Sequence, residues 1–180
     1  MKIVYTDKES QYINRLLRTL GKLHTAIGKP FPVIEAPPAK WFVYLQRIKE
    51  SQGNLNNYLS FIACLMAKEY LHRRHGIDNW DVAEKPQGAP GLDIDLKTIT
   101  GKRIIGEIKT TKPYEEDNFG AAQWTSFEND FRKLRRRRSD VKYLFVTHPL
   151  TYKYLKRDSQ YVRVSGLKVV LLPTGKHFTV

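Results

Sequence analysis

Two continuous apolar runs, VKYLFVTH (141–148) and LKVVLLP (167–173), read as buried strands, with a short helical stretch, PLTYKYLKRD, between them. Upstream, YLSFIACLMAKEYLHRRHG reads as a helix that starts on an Asn56 or Asn57 cap and stops at Gly76. Next comes the hairpin GLDIDLKTITGKRIIGEIKTT (91–111). A helix from about Gly120 follows, with Trp124, Phe127, Phe131 and Leu134 at helical spacing. The succession is helix, strand, strand, helix, strand, short helix, strand. It confines the chain to an α/β sandwich with a mixed sheet. A length of 180 residues, 41% of them hydrophobic and 27% charged, supplies one domain with a real core and a small appendage.

The appendage is residues 1–52, a helical N-terminal extension that is either a DNA-contacting unit or a packing element; the main domain is 53–180. SQYINRLLRTLGKLHTAIG (10–28) has helical periodicity through Ile13, Leu16, Leu17, Leu20 and Leu23. GKPFPVIEAPPAK (28–40) is a proline-rich connector, and WFVYLQRIKE a short helix.

Charge narrows the partners. There are 31 Lys and Arg against 18 Asp and Glu, a net charge of +13. Self-repulsion of that size disfavours the compact state unless a polyanion is near, so nucleic acid comes first and an anionic membrane surface second. No apolar run approaches the ~20 residues of a membrane span. The start, MKIVYTDKES, lacks a signal peptide's apolar segment, and one cysteine, Cys64, forms no internal disulfide. A cytoplasmic protein is expected.

The hairpin carries the chemistry. Side chains alternate along strands, so Leu92, Ile94 and Leu96 take one face and Asp93 and Asp95 the other. In the second strand, Glu107 and Lys109 share a face. A three-residue loop, Ile99 to Gly101, ends on a glycine suited to the left-handed position and sets Asp93 opposite Glu107. Two adjacent carboxylates repel, and one takes up a proton unless a cation intervenes. Mg²⁺ suits such oxygens and keeps several waters. Asp93, Glu107 and the backbone carbonyl of Ile108 are the candidate ligands. Lys109 would orient a water or offset charge on a phosphate, as metal-assisted phosphodiester hydrolysis requires. Glu69 falls on the apolar arc Tyr58, Leu59, Phe61, Ile62, Leu65, Met66, where a carboxylate needs a partner: a metal, a proton or a nearby arginine.

Six of the seven residues from Arg132 to Arg138 are basic. A helix C-terminus does not need that many cations to complement its dipole, so Arg135, Arg136, Arg137 and Arg138 are expected to contact phosphates. Lys97, Lys112, Thr110 and Thr111 lie near the hairpin ends and are further backbone-contact candidates. Tyr114, Phe119 and Trp124 could stack on bases, although such spacing more often marks a core.

GLDID…GEIKTT resembles the PD-(D/E)xK nuclease superfamily, which includes type II restriction endonucleases, RecB-type nucleases and junction resolvases. The resemblance covers roughly half the chain. It implies a restriction-endonuclease-like sandwich, a central mixed sheet flanked by helices with an αβββαβ core over residues ~56–147. It implies Asp93 as the first acidic residue, with Asp95 as the alternative because Pro90 does not adjoin Asp93. Glu107 and Lys109 would be the Glu-x-Lys pair, and Glu69 a supporting glutamate, a metal contact through water. Gln123 with Phe127 resembles in part a Gln-x-x-x-Tyr motif of RecB-like members. A Mg²⁺-dependent DNA endonuclease is implied, with Mn²⁺ as substitute, of type II restriction type and homodimeric so as to cut both strands. A repair or recombination nuclease of the same fold and a non-catalytic basic nucleic-acid-binding protein are the alternatives.

Overall fold

The computed structural model describes residues 4–30, 32–33, 36–86, 88–114 and 118–180. Parts of the proline-rich connector (31, 34–35) and of the loop after the hairpin (115–117), with the first three residues and 87, lie outside the described residues. Two units divide the chain, Lys2–Tyr58 and Leu59–Val180.

The first unit holds α1 (Asp7–Ile27) and α2 (Pro38–Gln52). Thr6 caps α1 in a reciprocal box: its hydroxyl accepts the Glu9 N–H, and the Glu9 carboxylate accepts the Thr6 N–H. α2 starts on Pro38, whose missing N–H is harmless in a first turn. The boundary falls at Tyr58, six residues beyond the expected one. The first turn of α3 (Leu55–His75) belongs with α1: the Tyr58 hydroxyl lies 2.9 Å from Thr19 Oγ1, and its ring meets Tyr12 edge-on. The cap of α3 is Asn54, not Asn56 or Asn57, because the Asn54 side chain accepts the Asn57 N–H at 3.2 Å. The helix ends at Gly76, whose φ of +64° lets its N–H reach the His72 carbonyl.

The second unit is an α/β domain around a five-stranded mixed sheet in the order β1-β2-β3-β4-β5. The strands are β1 (Ile94–Lys97), β2 (Arg103–Lys109), β3 (Val141–Val146), β4 (Leu167–Leu171) and β5 (Lys176–Thr179). β1/β2 and β4/β5 are antiparallel; β2/β3 and β3/β4 are parallel. α4 (Ala121–Arg136) and α5 (Pro149–Arg157) make the parallel crossovers. β5 extends the sheet beyond the strands read from the sequence. Between α3 and α4 the described residues form two strands, where the resemblance implied three.

Each face of the sheet buries its own core. On one side Ala63, Ala67 and Leu71 of α3 meet Ile94, Ile104, Tyr143, Phe145 and Val170. On the other, Phe127, Phe131 and Leu134 of α4 and Leu155 of α5 meet Ile105, Leu144, Val146 and Val169. The buried arc of α3 therefore differs from the expected one; Leu59 and Ile62 are exposed. Alanines let the helix axis approach the sheet closely, whereas a wheel weighted by side-chain bulk turns the larger residues inward. Leu92 also departs from expectation. It packs with the α4 core while Ile94 packs with the α3 core, because β1 begins only at Ile94 and strict alternation does not hold before it.

Candidate functional site

The hairpin register follows from its loop. Thr98 N–H donates to the Lys102 carbonyl, leaving the three residues Ile99–Gly101, with Gly101 at φ +81°. Ile94 is then paired with Gly106, the last pair of the ladder, and Asp93 just before it is hydrogen-bonded to the Glu107 side chain. Gly106 is where the sheet is tightest: a Cβ there would lie 3.2 Å from Ile94 Cδ1 and 3.2 Å from the Tyr143 carbonyl.

Asp93, Glu107 and Lys109 come together on the α4 side of the sheet. The Asp93 carboxylate accepts the Ile108 N–H at 2.9 Å and shares a hydrogen bond with Glu107. Glu107 is only 2% exposed. Burial, then the charges of Asp93 and Asp130, push its carboxyl up to about 8, against the hydrogen bond from Lys133. At neutral pH this pair holds a proton unless a cation takes its place.

α4 completes the cluster with residues that the sequence reading did not single out. Lys109 Nζ lies 2.7 Å from Asp130 Oδ2 and donates to Ser126 Oγ at 2.6 Å. Lys133 Nζ bridges Asp130 (3.0 Å) and Glu107 (3.1 Å). A continuous chain of contacts thus runs from Ser126 through Lys109, Asp130, Lys133 and Glu107 to Asp93. It holds three carboxyls and two ammonium groups, so with every group ionised one negative charge is left over. One proton or a bound cation balances it. The signal for Asp130 was present in the sequence: it borders the Phe127–Phe131–Leu134 arc, the same kind of position that drew attention to Glu69.

The other candidates stand apart. Asp95 is clamped by Arg103, which donates Nε–H to Oδ1 (2.8 Å) and Nη2–H to Oδ2 (2.6 Å). That fork holds the Asp95 carboxyl below its usual range. Glu69 pairs with Arg73 one turn along α3 at 3.1 Å, the arginine partner allowed for it. The α3 residue that senses Asp93 is Cys64, and five residues of helix turn Glu69 about 140° away from it. Burial, then the Asp93 charge, push the Cys64 thiol up to about 12, so it stays protonated and is no thiolate ligand. Gln123 donates to the Lys112 carbonyl at 2.9 Å, and its Oε1 is buried without a partner among the described residues. Lys97 is exposed at the loop end of the hairpin, away from Glu107. Phe119 and Trp124 belong to the α4 core and Tyr114 is exposed. His148 caps α5, its Nδ1 accepting the Leu150 N–H.

Arg135, Arg136, Arg137 and Arg138 are all exposed at the end of α4. A groove of about 450 Å³ opens beside them, lined by Gly91, Leu92 and the α4 side chains Asn129, Arg132, Lys133 and Arg136, with Arg137 at the helix end. It leads to Asp93.

The donor set fits a hard divalent ion: two carboxylates already forced together, with one oxygen needing a proton otherwise. Among the described residues no group of three His, Cys, Asp or Glu side chains forms a ready metal cage. Waters and a backbone oxygen would fill the remaining positions, as Mg²⁺ prefers. Among the described residues no helix is long and apolar enough to cross a membrane. The chain is thus an α/β protein with a mixed sheet and a carboxylate–lysine cluster at the open end of its hairpin. No family model, curated protein or solved structure matches it.

Proposed function

We propose that this chain is a divalent-metal-dependent DNA endonuclease of the PD-(D/E)xK kind, acting as a type II restriction enzyme. The observation that carries the reading is Asp93 beside a buried, proton-hungry Glu107, with Lys109 two residues on along the same face. Asp93 and Glu107 would hold Mg²⁺, which supplies a Lewis acid and a water of lowered pKa. Asp130 and Ser126 fix the Lys109 ammonium group on that face, where it offsets charge developing on a phosphate. Lys133 neutralises the carboxyls of Glu107 and Asp130 before a metal arrives. A net charge of +13 draws the polyanion in. Cutting both strands with one site per chain calls for a homodimer.

A second reading has one observation behind it. Lys133 and Lys109 nearly balance the carboxylates on their own, as an inert ion-pair network in a basic nucleic-acid-binding protein would. Supercoiled plasmid separates the two. The nuclease reading predicts nicking and linearisation in Mg²⁺, none in EDTA, and at least a hundredfold loss for Glu107→Ala and Lys109→Ala. Variants that cut as fast as the parent would sink it. Discrete fragments mark restriction, whereas a preference for branched DNA marks a resolvase.

A further inference from the structure

The arginine-rich end of α4 is not uniform. Asn129, Arg132, Lys133 and Arg136 recur at intervals of three and four residues and form one stripe of the helix. That stripe, with Arg137, makes one wall of the 450 Å³ groove, and Gly91 and Leu92 make the other. The groove lining holds four cations and no carboxylate. Arg135 and Arg138 do not line it, and the Arg138 carbonyl is engaged by Arg103 instead. Seven residues of helix span about 10 Å, close to the axial rise of three nucleotides in one strand. Gly91, at φ +102°, brings no side chain to the opposite wall, so a backbone can lie close against it. Lys133 belongs to both the groove and the carboxylate cluster, so the two share a wall.

We propose that this groove is a site for one short phosphodiester segment of a DNA strand, held by Arg132, Arg136 and Arg137, and that Arg135 and Arg138 contribute only diffuse charge. The inference rests on the nucleic-acid reading of the charge but not on catalysis. It refines the expectation that residues 135–138 act alike, and it adds Arg132.

The test is fluorescence anisotropy of a labelled 14-base-pair duplex in EDTA over a salt series. The parent is compared with Arg132→Ala/Arg136→Ala/Arg137→Ala and with Arg135→Ala/Arg138→Ala. All five side chains are exposed, so both variants should fold, which circular dichroism checks; the single Arg132→Ala is the reserve. Each lost phosphate contact removes about 0.9 from the slope of log K against log salt. The triple variant should lose about 2.7 of slope and more than tenfold in affinity, the double variant less than one unit and under threefold. Equal losses in proportion to charge would overturn the groove while leaving DNA binding intact. A parent that binds no DNA would overturn both the groove and the nuclease reading. Equally tight binding to phosphatidylserine vesicles, with the same loss in the triple variant, would reassign the groove to a membrane surface and overturn the proposal.

Discussion

Asp93 and Asp95 look interchangeable in the sequence, two carboxylates on one face of one strand. Their partners separate them. Arg103 satisfies both oxygens of Asp95, whereas Asp93 has one backbone N–H and an incompletely neutralised neighbour. Under the nuclease reading, Asp93→Asn should abolish Mg²⁺-dependent plasmid cleavage, while Asp95→Asn should retain it within about tenfold; the reverse order would exchange their roles. Glu107 makes a second residue-scale prediction. Its folded carboxyl titrates near 8 against 4.5 for the free group, so the folded state holds the proton more tightly. The stability it contributes is complete below pH 4.5 and is lost as pH rises through about 8. Gln mimics the protonated form. Thermal melts of Glu107→Gln should match the parent near pH 5 and exceed it at pH 8.5, in metal-free buffer.

At the scale of elements, β2 and α4 are fastened by an ion cluster set among apolar contacts. Asp130 is its shared anion, and removing it takes from Lys109 its paired carboxylate and from Lys133 one of two. Asp130→Ala should cost about 3 kcal/mol, read from urea midpoints, as one-sided loss of a buried pair does. At Gly106 a methyl group would be tight against the Tyr143 carbonyl and Cβ, which the sheet holds in place, so these neighbours would have to give by a few tenths of an ångström. Gly106→Ala should cost about 1–3 kcal/mol and spread β1 from β2 beside Glu107, measurable in the same unfolding curves. The hairpin was legible in sequence because alternation and one glycine fix its register. The strands 141–148 and 167–173 were legible from continuous apolar content. α3 was legible in part: Phe61 and Leu65 of the expected arc are buried, but Ala63, Ala67 and Leu71 face the sheet while Leu59 and Ile62 are exposed, so bulk alone misplaces the arc. The cluster was half legible. Asp93, Glu107 and Lys109 share a strand face, but Asp130 and Lys133 enter from α4, and only the packing of helix on sheet brings them within reach.

At the scale of the whole molecule, positive charge gathers where α4 ends beside the carboxylates, so under the nuclease reading substrate attraction and cation binding would converge on one end of the sheet. Under the nuclease reading, Asp93 and Glu107 form a divalent-cation site. Calorimetric titration with Mn²⁺ tests it most directly, run at pH 7 and pH 8.5 on the parent and on Asp93→Asn. Because a cation must displace the Glu107 proton, the expected result is one ion per chain, about one proton released at pH 7 and little at pH 8.5, with affinity rising roughly tenfold per pH unit below about 8. Asp93→Asn should bind none. Folded parent protein that takes up no Mn²⁺ at either pH, or an Asp93→Asn variant that binds as well as the parent, would contradict it.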